Sequence, residues 1–267
     1  MSTRCPFTFG IPLLPRQCAS NWARIECLLT LTLTSLLAQT DQDFHIVVAG
    51  HDRPVLPKDP RIEFLQVDWP ALPQRSDNLD RGRKVFAIND LVMRRGGGLL
   101  MFVDADDWID TQLVEHARAL IGGSNAVGGV VVSGYAIDFR TLRTAALPDQ
   151  NVFPGPFNKI CGSSTVAMLR PQERDPLRRD PHTIMHEHYR WTELAQELGA
   201  PLVELPVHNA YLINTAENHS ELYGPFAAWR REFIAAVNRV GFRADSDFMA
   251  RFGLNGAEVR AASRRFE

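Results

Sequence analysis

The chain has 267 residues, 45% hydrophobic and 22% charged, with a formal net charge of −2. That length sets one large or two small domains, and the near-neutral charge excludes the global basic field that nucleic-acid binding needs. No apolar run reaches membrane-spanning length, the N-terminus shows no basic-then-apolar leader, and Cys5, Cys18, Cys27 and Cys161 lack C-x-x-C spacing, so the expectation is a reduced, cytoplasmic protein without a zinc or disulfide framework.

Phe7–Leu13 reads as a first strand, stopped by Pro12 and Pro15. Trp22–Gln39 carries Trp22, Ile25, Leu29, Leu33 and Leu36 at helical spacing. Its centre, Leu29–Thr34, also alternates with period two; length favours helix. Phe44–Val48 and Ile62–Val67 are apolar, β-branched strands, the first ending at Gly50. Asp68–Arg83, rich in Pro, Asp and Arg, reads as a loop, and Lys84–Arg94 as a helix. A strand over Leu99–Val103 and a helix over Ile109–Leu120 follow. Gly129–Ser133 and Tyr135–Phe139 are extended runs that suggest a hairpin or bend at Gly134. Leu147–Lys159 is a loop, Ser164–Leu169 a strand, and Pro171–Pro181 a charged, exposed stretch. Tyr189–Leu198 is a helix stopped by Gly199. Leu202–Leu205 and Ala210–Ile213 are extended, and Pro225–Phe242 is an amphipathic helix. Strands alternating with helices predict a mostly parallel sheet covered on both faces.

The sharpest feature is Leu99-Leu100-Met101-Phe102-Val103-Asp104-Ala105-Asp106-Asp107, preceded by Gly96, Gly97 and Gly98. Three carboxylates crowd the end of a buried strand, where open α/β sheets bind their ligands. Their mutual repulsion points to a hard divalent cation such as Mg²⁺ or Mn²⁺. A helix N-cap at Asp106 or Asp107 accounts for one carboxylate only.

In this order the elements resemble a family 2 glycosyltransferase of the GT-A fold. The resemblance rests on Phe9-Gly10-Ile11-Pro12, on Leu33–Thr40 with Phe44–Val48, and on Lys84–Asn89 leading into Asp104-Ala105-Asp106-Asp107 as a D-x-D motif. It extends to Glu187 with Gly199 and Pro206, and to the stretch from Tyr211 to His219-Ser220. It implies a GT-A-type, Rossmann-like, mostly parallel α/β sheet flanked by helices over residues 1–224, with a C-terminal helical extension over 225–267. The implied activity is transfer of a sugar from a nucleotide-diphosphate-sugar donor to a hydroxyl acceptor, glycan or lipid-linked. Transfer would invert the sugar and use Mn²⁺ or Mg²⁺, as in polysaccharide biosynthesis. Pro12, Asp52, Lys84, Asp104 and Asp106 are the implied donor-binding residues, with Arg81 and Arg83 alternatives to Lys84. Asp104, Asp106 and His219 are the implied metal ligands.

Two positions depart from the family pattern. The acidic residue after the second strand is displaced to Asp52. Glu187-His188 stands where the family has Glu-Asp, so the general base is expected at Glu187, with His188 the alternative.

Two other functions fit parts of the chain. One is a non-catalytic nucleotide- or carbohydrate-binding module. The other is a metal hydrolase built on His182 and His186 at i, i+4, beside Glu187 and His188. In the C-terminal helix, Phe226, Trp229, Phe233, Val237 and Val240 form an apolar stripe that must be buried. It is expected against the protein's own sheet or a second copy in a homodimer. The alternative is peripheral contact with the inner membrane face, aided by Arg230, Arg231 and Arg239.

Overall fold

The computed structural model describes residues 4–72, 78–222 and 227–265. The amino-terminal half alternates β1 (Phe7–Pro12), α1 (Trp22–Leu37), β2 (His45–Gly50), β3 (Ile62–Gln66), α2 (Leu79–Arg94), β4 (Gly98–Phe102) and α3 (Leu113–Ile121). Then come β5 (Gly128–Val130), β6 (Gly134–Asp138), β7 (Arg143–Leu147), β8 (Thr165–Leu169), α4 (Pro176–Arg179), α5 (Pro181–Met185) and α6 (Trp191–Glu197). The chain ends with β9 (Leu202–Glu204), β10 (Asn209–Ile213), α7 (His219–Leu222), α8 (Ala227–Val240), β11 (Phe242–Arg243), α9 (Ser246–Ala250) and α10 (Gly256–Arg264).

The larger sheet has seven strands in the order β3-β2-β1-β4-β8-β5-β9. Its pairs are parallel except where β8 runs against β4 and β5. A second sheet of four strands, β10-β6-β7-β11, stands beside it. The mostly parallel, helix-flanked α/β architecture is the one expected. Strands β1, β2 and β4 are buried along nearly their whole length because helices cover both faces, which is why they read as continuous apolar runs rather than alternating ones. On one face Leu29, Leu33 and Leu36 of α1 meet Phe9 and Ile46. On the other, Ile88 and Val92 of α2 and Trp191 of α6 meet Val47, Leu100 and Ala167.

α1 is a helix despite its alternating threonines. The hydroxyls of Thr30 and Thr34 donate to the carbonyls of Glu26 and Thr30, one turn back, so the period-two pattern costs no polar group. Gly96, Gly97 and Gly98 all have positive φ (102°, 78° and 115°). A Cβ at Gly97 would sit 2.4 Å from the Leu169 carbonyl oxygen, so glycine is required where α2 turns sharply into β4.

Several expectations are corrected. α2 begins at Leu79, inside the stretch read as a loop. α3 begins at Leu113 rather than Ile109, because Trp108 pairs with Ala210 and crosses to the second sheet. The cap is supplied by neither Asp106 nor Asp107. Asp110 accepts from the backbone N–H groups of Gln112 and His208. Gly129–Ser133 and Tyr135–Phe139 form no hairpin: β5 and β6 diverge into different sheets, and β6 pairs instead with β7, a strand the sequence did not announce.

His182 and His186 do not share a helical face. α5 ends at Met185, and His186 has φ 49°. The His182 ring packs between Phe102 and Trp191 at centroid distances of 4.7 and 5.2 Å, and its Nε2 lies 3.3 Å from the Leu100 carbonyl. Burial lowers its pKa to about 4. It is a partly buried packing group, and the hydrolase built on it is excluded. In α8, Phe233 and Val237 are buried and Trp229 partly so, on the protein's own strands. The stripe therefore faces inward rather than toward lipid, leaving Val240 outside; Phe226 lies outside the described residues.

Candidate active site

The carboxyl ends of β1 and β4 open onto a cleft of about 500 Å³. Its floor is the acid cluster. After β4 the backbone N–H of Val103 donates to the Gly10 carbonyl, and that of Asp107 to the Asp104 carbonyl. This tight turn carries the chain from the first sheet to the second and aims the carboxylates differently.

Asp107 points inward and is fully buried. It accepts from the Leu212 backbone N–H at 3.1 Å, the Ser163 hydroxyl at 2.6 Å and the Cys161 thiol at 3.4 Å. Desolvation, and then the neighbouring Asp104, push its pKa up to about 7. Asp104 and Asp106 line the cleft. Burial raises the Asp106 carboxyl well above the usual carboxylate range, reinforced by Asp107 and Asp104. Its one hydrogen bond among the described residues comes from the Thr215 hydroxyl, at a long 3.4 Å. Asp104 Oδ1 accepts from Arg81 Nε and Nη2 at 3.1 and 2.8 Å. Its Oδ2 lies over Gly162, where a Cβ would stand 2.6 Å away. Glycine there makes room for the carboxylate.

The cations divide their tasks. Lys84, expected on the donor, is buried. Its ammonium donates to the Leu13 carbonyl at 2.6 Å and to the carboxylate of Asp80, and burial lowers its pKa. It ties α2 to the end of β1, and Arg81, one turn earlier, is the cation that reaches the acid cluster. Arg230 enters from α8. Its guanidinium lies 5.3 Å from the Tyr211 ring centroid and 5.0 Å from that of Trp229. Its Nε and Nη1 are buried without a hydrogen-bond partner among the described residues.

Pro12 forms part of the cleft wall. Asp52 does not line it: its carboxylate accepts from the Arg16 backbone N–H at 2.9 Å. Glu187, His188 and His219 all do line it. Glu187 is exposed. His188 Nδ1 lies 2.6 Å from the Asn158 carbonyl, which fixes the proton on Nδ1 and leaves Nε2 as the accepting nitrogen. Burial lowers its pKa, so the ring is neutral near pH 7. The described residues contain no group of three His, Cys, Asp or Glu side chains arranged to hold a metal, so Asp104, Asp106 and His219 do not form the three-ligand cluster expected of them.

Sequence reasoning missed Glu217. It is buried and accepts from the backbone N–H groups of Ser20 and Asn21 and from the Ser20 hydroxyl, fastening the C-terminal wall of the cleft to the start of α1. Arg230, placed off the apolar face of its helix and offered only for the alternative lipid contact, lines the cleft instead. The run Gly162-Ser163-Ser164 was a usable signal: three small residues before a strand allow the close approach to Asp104 and Asp107.

A family model described as "Putative rhamnosyl transferase" matches residues 22–200. No curated protein matches the chain. Among solved structures, residues 1–349 of S. aureus TarS in complex with UDP-GlcNAc are similar at 14% identity and a TM-score of 0.49, over 92% of this chain and 72% of that one. The same region in complex with UDP gives 12%, 0.43, 92% and 71%. The crystal structure of S. aureus TarS gives 13% and 0.39, over 94% of this chain and 44% of that one.

Proposed function

This chain belongs to the rhamnosyl transferase family and is a glycosyltransferase, and from that premise we propose that it moves a rhamnosyl group from a nucleotide-diphosphate-sugar donor to a hydroxyl of a glycan or lipid-linked acceptor, with inversion. The observation that carries this reading is the pair Asp104 and Asp106 on the floor of a cleft whose walls supply Arg81, Arg230 and His188. Asp104 is paired with Arg81 there, and Asp106 forms no ion pair among the described residues.

The residues fit a divalent ion in a limited way. Asp106, whose carboxyl is raised by burial and then by its acidic neighbours, and Oδ2 of Asp104 would hold it, and phosphate oxygens of the donor would complete its shell, as Mg²⁺-type ions prefer. Such an ion, Mg²⁺ or Mn²⁺, neutralises charge on a departing diphosphate. The protein's own groups do the rest. Arg230 faces the cleft with donors unspent, suited to phosphate oxygens. Arg81 restrains Asp104 until a ligand competes for it.

On this reading His188 is the general base rather than Glu187. Its Nε2 takes the acceptor hydroxyl proton as the acceptor oxygen bonds to the anomeric carbon. The bond from that carbon to the diphosphate oxygen breaks, and the electron pair leaves with the nucleoside diphosphate. What supports His188 is its fixed tautomer, held by the Asn158 carbonyl, and its position where the family has aspartate.

Calorimetric titration of a nucleoside diphosphate with and without Mn²⁺ tests the ion. Mn²⁺ should tighten binding to the native protein and have little effect on Asp106→Asn, where one ligand charge is gone. Equal Mn²⁺ dependence in both proteins would remove the ion from Asp106.

A further inference from the structure

A second pocket, of about 630 Å³, shares no lining residue with the catalytic cleft. Five arginines line it: Arg140, Arg143, Arg243, Arg260 and Arg264. None of the five forms an ion pair among the described residues. The net charge of the whole chain is only −2, so this concentration of positive charge is local.

The arrangement is costly in two independent ways. Arg143 and Arg243 stand directly opposite each other where β7 pairs with β11, and like charges in that position repel. Arg260 and Arg264 are four residues apart on α10, and like charges at that spacing also destabilise a helix. The nearby carboxylate does not relieve either pair. Asp138 is buried, and its oxygens accept from the backbone N–H groups of Arg140 and Thr141 and from the side-chain amides of Asn214 and Asn238.

The pocket is also built rather than loose. The Thr141 hydroxyl donates to Asn238 at 2.8 Å and accepts from the Arg143 backbone N–H at 3.2 Å. Arg143 is half-buried, and its Nε is shut off from solvent without a hydrogen-bond partner among the described residues.

We propose that this pocket binds a phosphate-bearing anion. Guanidinium groups meet phosphate oxygens through paired N–H donors, and one multiply charged ligand would relieve both repulsive pairs. The phosphate belongs either to a soluble molecule or to a lipid headgroup. The proposal does not rest on the assignment of the catalytic cleft.

The test uses the full chain at low ionic strength, where exposed charges are least screened. Inorganic pyrophosphate is titrated by calorimetry without divalent ions. Separately, the protein is sedimented with phosphatidylglycerol vesicles and with phosphatidylcholine vesicles. Arg143→Gln/Arg260→Gln should weaken pyrophosphate binding at least tenfold, and Arg140→Gln/Arg264→Gln, at two exposed positions, should weaken it in the same direction. Vesicle sedimentation specific to phosphatidylglycerol and lost in both variants identifies a lipid source; pyrophosphate binding without sedimentation identifies a soluble one. In anion-free buffer Arg143→Gln/Arg260→Gln should melt no lower than the native protein, since it removes one member of each repelling pair. Binding of neither probe, or binding unchanged in both variants, overturns the proposal.

Discussion

The three aspartates after β4 show how one residue type is given different tasks by its surroundings. Asp107 is consumed by three donors and joins the two sheets. Asp104 is shared with Arg81, and Asp106 is left poorly bonded in the cleft. Replacing Asp107 by alanine strands the Leu212 N–H in a buried space, while the Ser163 hydroxyl still accepts from the Asp104 N–H. Buried unsatisfied groups cost about 1–3 kcal/mol, so Asp107→Ala should lower unfolding free energy by that amount in urea titrations. The base assignment is tested at the same scale. His188→Ala should cut transfer by about 10²–10⁴-fold, the range for a lost general base, and leave donor affinity nearly intact. Glu187→Gln should be mild. The opposite ranking in steady-state assays would return the role to Glu187.

At the scale of elements, α8 is where sequence and structure differ most usefully. Its apolar stripe was legible, and so was the need to bury it. What covers it was not, because β6 and β7 lie about a hundred residues earlier in the chain. Phe233 stacks on Trp229 at 5.2 Å with planes 18° apart and is buried. Phe233→Ala should therefore cost about 3–5 kcal/mol by urea denaturation. Val240, 44% exposed, should tolerate alanine with a change within about 0.5 kcal/mol. The same packing turns Arg230 toward Tyr211 and into the cleft. α3 teaches a similar lesson: Ile109 looks like part of a helical stripe, but the pairing of Trp108 with Ala210 holds it in an extended crossing.

At the scale of the molecule, His182, packed between Phe102 and Trp191, ties folding to pH. In the unfolded chain an imidazole takes up its proton near the ordinary value of 6.5; in the folded protein burial delays this to about 4. Between those values the unfolded state binds more protons, so stability falls as pH falls through that window. Above pH 6.5 the contribution is fully present. The urea midpoint of the native protein should decline from pH 6.5 to 4 more steeply than that of His182→Phe, which keeps a ring between Phe102 and Trp191 but removes the titration. Parallel curves would show that His182 protonates in the fold as easily as in the unfolded chain.

The strands of the amino-terminal half, α1 and the acid cluster were determined by the sequence alone. Unbroken apolar strands, helical stripes and glycines that only one backbone shape accommodates are local signals, and carboxylates at a strand end are conspicuous without any knowledge of their partners. Tertiary structure decided the rest. Lys84 became a buried tie because the Leu13 carbonyl and Asp80 happen to meet it. His182 became a packing group because two aromatic rings close around it. β5 and β6 parted because each found a different partner strand. These outcomes depend on contacts between residues far apart in the chain, and such contacts leave no periodic trace in the residues that make them.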